Sequence, residues 1–229
     1  MAKLTAVTGN SGKTILSFYL SSTLSKKHRT LLLSTDGRCP TGKALFPTHP
    51  TESTKSLGRL LSLPVITDAD VFNHAVVLSD NLLMLSYADG ESYLNYPDIS
   101  EISLHNLFAQ LDRLVDCVIV DTSTVHSAID EFAIAKAAMQ MCITTADSKG
   151  FAYRQFCKPE HAVPVVLNDS PYNPLNDILK TFSEPVRYVL PYCSGLRGVY
   201  NGMNISDIVP SRTYRKTLYK IAGDILERL

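Results

Sequence analysis

No stretch of 18 consecutive apolar residues occurs in this sequence, which leaves no candidate for an ordinary membrane-spanning helix. The opening MAKLTAVTG carries too short an apolar run for a signal peptide, and a cytoplasmic protein is expected. Net charge is also missing: 22 Lys and Arg balance 22 Asp and Glu. No global field then draws the chain to nucleic acid or an anionic membrane, and any such binding has to be local. The five cysteines are odd in number and include no C-x-x-C pair. That argues against a disulfide framework, a zinc ribbon or a cysteine-ligated cluster within one chain, and it fits a reducing compartment. Repeats, low-complexity tracts and Gly/Ser linkers are absent as well, so residues 1–229 are expected to form one domain.

What the chain does contain is ordinary for a globular protein with a sizeable core: 45% apolar and 19% charged residues. Short apolar runs alternate with helical patterns. Strands are expected at residues 4–8, 30–34, 82–86, 117–121, 140–145, 163–168 and 186–191. Helices are expected at 14–27, 56–61, 102–114, 128–139, 150–156, 174–182 and 214–229. Several strands are continuously apolar, as strands covered on both faces are, and the alternation predicts a mainly parallel sheet flanked by helices. The Gly- and Pro-rich stretch 37–50 reads as a loop at the strands' C-terminal edge, where open α/β sheets bind ligands.

Three segments carry chemistry. In AVTGNSGKTILSFYL, residues 6–20, an apolar strand runs through a glycine turn into a helical pattern. The full phosphate-loop pattern would need glycine at Val7, so the match is partial. Gly9 and Gly12 permit a tight turn whose N–H groups, with those of Asn10, Ser11 and Ile15, can face phosphate oxygens. The helix start adds its positive dipole end, Lys13 can reach the β- and γ-phosphates, and the Thr14 hydroxyl can ligate Mg2+. A Gly-Lys-Thr triplet is common in ordinary turns; its place between the first strand and the first helix is what gives it weight. In RLVDCVIVDTS, residues 113–123, Asp121 ends an apolar strand at the sheet edge, as a magnesium-holding acid does. In TLLLSTDGRCPTG, residues 30–42, a second apolar strand is followed by Asp36.

That order of phosphate loop, acid after the second strand and VIVDTS resembles the ParA/MinD class of P-loop ATPases, over nearly the whole chain. The resemblance implies a three-layer α/β/α P-loop NTPase fold, ATP and Mg2+ as ligands, an ATP-dependent homodimer and a protein partner not identifiable from sequence. VPVVLND is similar to the family's strand ending in an adenine-reading Asn, here Asn168. The segment from VLPYCSG to GDIL is similar to its closing segment, which places Pro191 near the base. Asp36 takes the place of the acid that positions the attacking water, alongside Lys13 as the second catalytic group.

Departures bear on activity. The family's loop reads KGGxGKT and this one TGNSGKT, so Thr8 stands where a lysine reaches across the dimer, and Asn10 replaces a glycine. Ser34 replaces the first acid of the family's D-x-D element. Binding is expected to survive these changes and hydrolysis to be weak, unless Arg38 or Lys43 supplies the missing cation. Of the loop after Asp121, Thr122 and Ser123 are better placed than His126 to sense a γ-phosphate. Asp147 is expected to cap the following helix. His49, His74, His105, His126 and His161 lack ligand-like spacing. Arg212, Arg215, Lys216 and Lys220 could bind DNA non-specifically, but they also fit the solvated face of an amphipathic helix whose other face is Leu218, Ile221, Ala222, Ile225 and Leu226, and that reading is favoured. A basic amphipathic membrane tail is not expected. The rivals to an ATP-driven positioning or assembly switch are a nucleotide-binding scaffold without turnover, a DNA-binding partition module, and a small-molecule ligase on the same fold. The ligase would need a substrate pocket, which the sequence does not reveal between residues 37 and 97.

Overall fold

The computed structural model describes residues 2–38, 40, 42–46, 54–157, 161–173, 175–180 and 185–227, with backbone alone at 43, 44, 156 and 200. His49 and the side chain of Lys43 lie outside the described residues, as do parts of the stretches expected at 37–50 and 174–182.

Among the described residues eight strands form one sheet: β1 (Lys3–Gly9), β2 (Thr30–Ser34), β3 (Val76–Ser79), β4 (Leu82–Leu85), β5 (Cys117–Asp121), β6 (Met139–Thr145), β7 (Val163–Leu167) and β8 (Tyr188–Leu190). Their order is β3-β4-β2-β5-β1-β6-β7-β8, and only the β3–β4 pair is antiparallel. Parallel pairing requires crossovers that cover both faces. Among the described residues the α-helices are α1 (Lys13–Leu24), α2 (Gly42–Leu45), α3 (Leu57–Leu61), α4 (Asp68–His74), α5 (Glu101–Leu114), α6 (Ala128–Lys136), α7 (Ser148–Phe156), α8 (Leu175–Lys180) and, after the last strand, α9 (Arg212–Glu227).

Because side chains alternate along a strand, β5 splits its apolar residues between two cores. Cys117 and Ile119 face α1 and α9, whereas Val118 and Val120 face α3, α4 and α5. Helix α5 buries Leu104, Leu107, Phe108 and Leu111, a single stripe at helical spacing. In α9, Tyr214, Leu218, Ile221, Ala222 and Ile225 are buried while Arg212, Arg215, Lys216 and Lys220 are exposed, the solvated-face arrangement favoured from sequence. Among the described residues no helix is long and apolar enough to cross a membrane.

Three elements differ from the sequence expectation. β3 is an eighth strand at the sheet edge, joined to β4 through Asp80 and Asn81; its short apolar run at 75–78 was passed over, and Val77 on it is exposed. α4 was not expected, yet Thr67 and Asp70 form a reciprocal capping box that starts it. α2 interrupts the stretch read as loop at 37–50. Helix α6 also stops at Lys136, three residues short of the expected 139, because Met139 already belongs to β6.

Register places the site. Val7 of β1 and Ser34 of β2 both pair with Asp121 of β5, and Gly9 pairs with Ile143 of β6. The C-terminal ends of the three central strands therefore open on one edge, with Gly9, Asp36 and Asp121 around it.

Candidate functional site

The β1–α1 turn can be built only from glycine at two points. Gly9 has φ of +142°, and a Cβ there would sit 1.9 Å from the Ile143 carbonyl oxygen. Gly12 has φ of +78°, with Leu167 Cδ2 2.6 Å from where its Cβ would be. Gly12 is the N-cap of α1 and gives no side-chain cap, so the first N–H groups of a twelve-residue helix have no partner within it.

Asn10, which replaces a family glycine, acts as a strut. Its Nδ2 donates to Thr145 Oγ1 at 2.9 Å, and its Oδ1 accepts from the Thr145 N–H at 3.1 Å. Thr145 Oγ1 in turn donates to Asp147 Oδ1 at 2.7 Å, and Asp147 caps α7 through the Gly150 N–H, as expected. The turn is thereby pinned to the β6–α7 junction. Asn10→Ala removes both bonds and should cost about 1–2 kcal/mol, lowering the thermal midpoint by several degrees in a melting experiment. Thr8, at the family's lysine position, points into the sheet, where its hydroxyl donates to the Met141 carbonyl at 3.1 Å.

Lys13 is buried, and its Nζ donates to the Gly9 carbonyl and to Thr124 Oγ1, each at 3.1 Å. Burial lowers its pKa, against the opposing pull of Asp121, Asp36 and Asp130. Asp121 is fully enclosed, and burial pushes its carboxyl up to about 7 despite a hydrogen bond from Thr14 and the nearby Lys13. Its Oδ1 has no hydrogen-bond partner. A buried carboxylate oxygen without a partner, next to a threonine hydroxyl, is the donor set a hard divalent cation takes. Asp36 is half-buried and contributes to the field at Lys13, while its Oδ1 accepts from the Arg38 N–H at 3.0 Å.

A cavity of about 480 Å³ adjoins the turn and brings together Ser11, Gly12 and Ile15 with Asn168 and Pro191 from the far edge of the sheet. Asn168 Oδ1 is buried without a partner, while its backbone N–H is held by Leu190. Sequence reasoning missed two other walls of this cavity, Tyr192 and Arg197, whose guanidinium lies 5.9 Å from the Tyr192 ring centre.

The loop after Asp121 differs from expectation. Thr122 Oγ1 donates to the Val7 carbonyl at 2.9 Å, and Ser123 Oγ is engaged by Val125 and Asp130. Both hydroxyls are occupied inside the fold, and Thr124, not singled out from sequence, is the one that reaches Lys13. Asp130 is buried and gathers Thr35, Ser123 and Ser127, tying the loop after β2 to the loop after β5. A capping-box pattern, Ser127-x-x-Asp130, was the available signal.

No protein-family model matches the sequence, and no curated protein matches it. Solved structures do. A ParA family ATPase from Chlorobium tepidum TLS superposes with a TM-score of 0.76 at 14% identity, covering 97% of this chain and 99% of that one. The septum site-determining protein MinD of Pyrococcus horikoshii OT3, complexed with Mg-ADP, gives 0.72 at 14% identity, covering 99% and 97%. A plasmid partition protein from Borrelia burgdorferi gives 0.62 at 15% identity, covering 98% and 100%. With its eight-stranded, mainly parallel sheet and its glycine turn at the central strand, this chain has the fold of the ParA and MinD P-loop ATPases.

Proposed function

We propose that this chain binds Mg-ATP as one nucleotide-binding domain and acts as a nucleotide-dependent positioning, partition or assembly switch. One observation carries the reading: the unpartnered buried oxygens of Asp121 and Asn168 flank the glycine turn, one on the side of Thr14 and the other in the adjoining cavity. Buried acceptors without partners are costly, and each has a donor or cation to gain from one ligand. The N–H groups of residues 9–15 and Lys13 hold the triphosphate, with Thr14 and Asp121 as ligands to Mg2+. Asn168 accepts from the adenine amino group, with Ile15 and Pro191 against the ring. When bound, Mg2+ neutralises charge on the β- and γ-phosphates.

Asp36 is the group that positions water, and Lys13 leaves Thr124 to pair with the phosphates. With Thr8 turned into the sheet, hydrolysis lacks the family's cation from across a dimer and proceeds weakly. ATP shifts a monomer–dimer or partner-binding equilibrium through its differential affinity for the two states. Two expected outcomes test this. Asn168→Ala weakens ATP binding about tenfold in calorimetry, the loss of roughly one buried hydrogen bond. ATPase rate per protein rises with protein concentration if a dimer is the active form, whereas a flat plot removes the dimer from the account.

A further inference from the structure

A second cavity, of about 390 Å³, lies on the other side of the loop that carries Asp36. Neither Lys13, Thr14, Asp36 nor Asp121 lines it, so it is separate from the nucleotide site. Its walls come from three loops and α3. Tyr87, Tyr93 and Tyr96 supply aromatic surface, Leu61, Ile99 and Val125 aliphatic surface, and Arg38 and Asp98 the charge. Close ring packing depends on two glycines: a Cβ at Gly58 would lie 2.2 Å from the Tyr96 ring, and one at Gly37 2.9 Å from Tyr93 Cβ. The exposed Arg38 side chain is held over the Tyr93 ring, its guanidinium carbon 5.7 Å from the centre. Stacking of this kind orders a guanidinium while leaving its N–H edge available for a carboxylate.

The wall facing the nucleotide site is the Asp130 knot. Thr35 and Ser123 both line the cavity and both bond Asp130, while of their chain neighbours Thr124 bonds Lys13 and Asp36 contributes to the field there. Alternate residues of the same two loops thus serve the two sites. Lys13 and the Asp130 knot hold neighbouring residues of one loop, Thr124 and Ser123.

We propose that this cavity is an effector site for a small organic carboxylate with a flat apolar body, the carboxylate paired with Arg38 and the body between the tyrosine rings. Occupancy is coupled to nucleotide through Thr35, Asp130 and Ser123. The coupling rests on the Mg-ATP reading; the site itself does not.

Calorimetry with phenylpropanoate and its cationic counterpart phenylpropylamine tests both parts. Phenylpropanoate should bind at least tenfold more tightly than the amine, and Arg38→Gln should remove about tenfold of that affinity, the loss of one charge-assisted contact. Arg38 is exposed, so an unchanged melting temperature for this variant shows that the fold is kept. Saturating Mg-ATP should change the phenylpropanoate affinity at least threefold, and Thr35→Val should abolish that response. Equal or tighter binding of the amine, or no binding of either compound at millimolar concentration, overturns the site. Arg38-dependent binding that ignores Mg-ATP, in protein that demonstrably binds Mg-ATP, overturns the coupling. If Mg-ATP itself fails to bind, the nucleotide reading falls, and Arg38-dependent phenylpropanoate binding still supports the site.

Discussion

Lys13→Ala should weaken Mg-ATP binding by a hundredfold or more in calorimetry, about 3 kcal/mol. The ammonium group is already buried at the turn, its desolvation borne by the fold, and it is held by weak partners: a carbonyl and an exposed hydroxyl. A phosphate offers it full charges at the same place. Exchange of Thr124 for phosphate therefore costs little reorganisation, and loss of the ammonium removes a buried cation that, together with Mg2+, offsets the triphosphate's negative charge beside the carboxylates. Equal binding by the variant and the wild type would remove the phosphate from this turn.

The second large effect runs in the opposite direction for stability. Asp121→Asn should stabilise the nucleotide-free protein at pH 8 by on the order of 2 kcal/mol or more, raising its melting temperature by about 5 °C. An Asp normally titrates near 4, whereas burial holds this one at about 7 in the folded state. Between those values the folded chain retains a proton that the unfolded chain has released. The contribution of Asp121 to stability therefore falls as pH rises through this window and stays low above it. The benefit of the uncharged amide is full above pH 7, shrinks as pH falls, and is gone below about 4. The same substitution should abolish the extra thermal protection that Mg2+ adds to ATP, because Thr14 alone would remain as a ligand. A residue that destabilises the free protein and is required with metal is what a metal-binding carboxylate looks like; a purely structural Asp would lower stability when replaced.

The parts of the site that were legible in the sequence share one property: their partners lie close along the chain or at a strand end. Gly9, Gly12, Lys13 and Thr14 sit within one turn, and the two glycines combine positive φ with a close approach of Ile143 and Leu167 that leaves no room for a Cβ. Asp121 was visible because it ends a strand buried at every position. Asn168 and Pro191 reached the same cavity as Ile15 because parallel strands end on one edge. What stayed hidden depends on loops far apart in sequence. Asp130 reads as a third helical residue in a capping box, and nothing local reveals that Thr35 also bonds it from the loop after β2. Thr124 was passed over because its neighbours carry equivalent hydroxyls, and only the fold shows that those two are occupied. Asn10 looked like a degraded glycine, yet its side chain is a bridge to Thr145. The tyrosine-lined cavity takes only part of its wall from residues 37–97, where a ligase pocket was sought; Thr35, Asp98, Ile99 and the loop at 123–128 complete it.

A crystal of the full chain soaked with Mg-ATP tests the central claim most directly. The account predicts phosphate oxygens against the N–H groups of residues 9–14, Lys13 moved from Thr124 to the β- and γ-phosphates, the metal on Thr14 and Asp121, and the adenine amino group at Asn168. An empty turn, or one whose carbonyls face inward while nucleotide sits elsewhere, would contradict it.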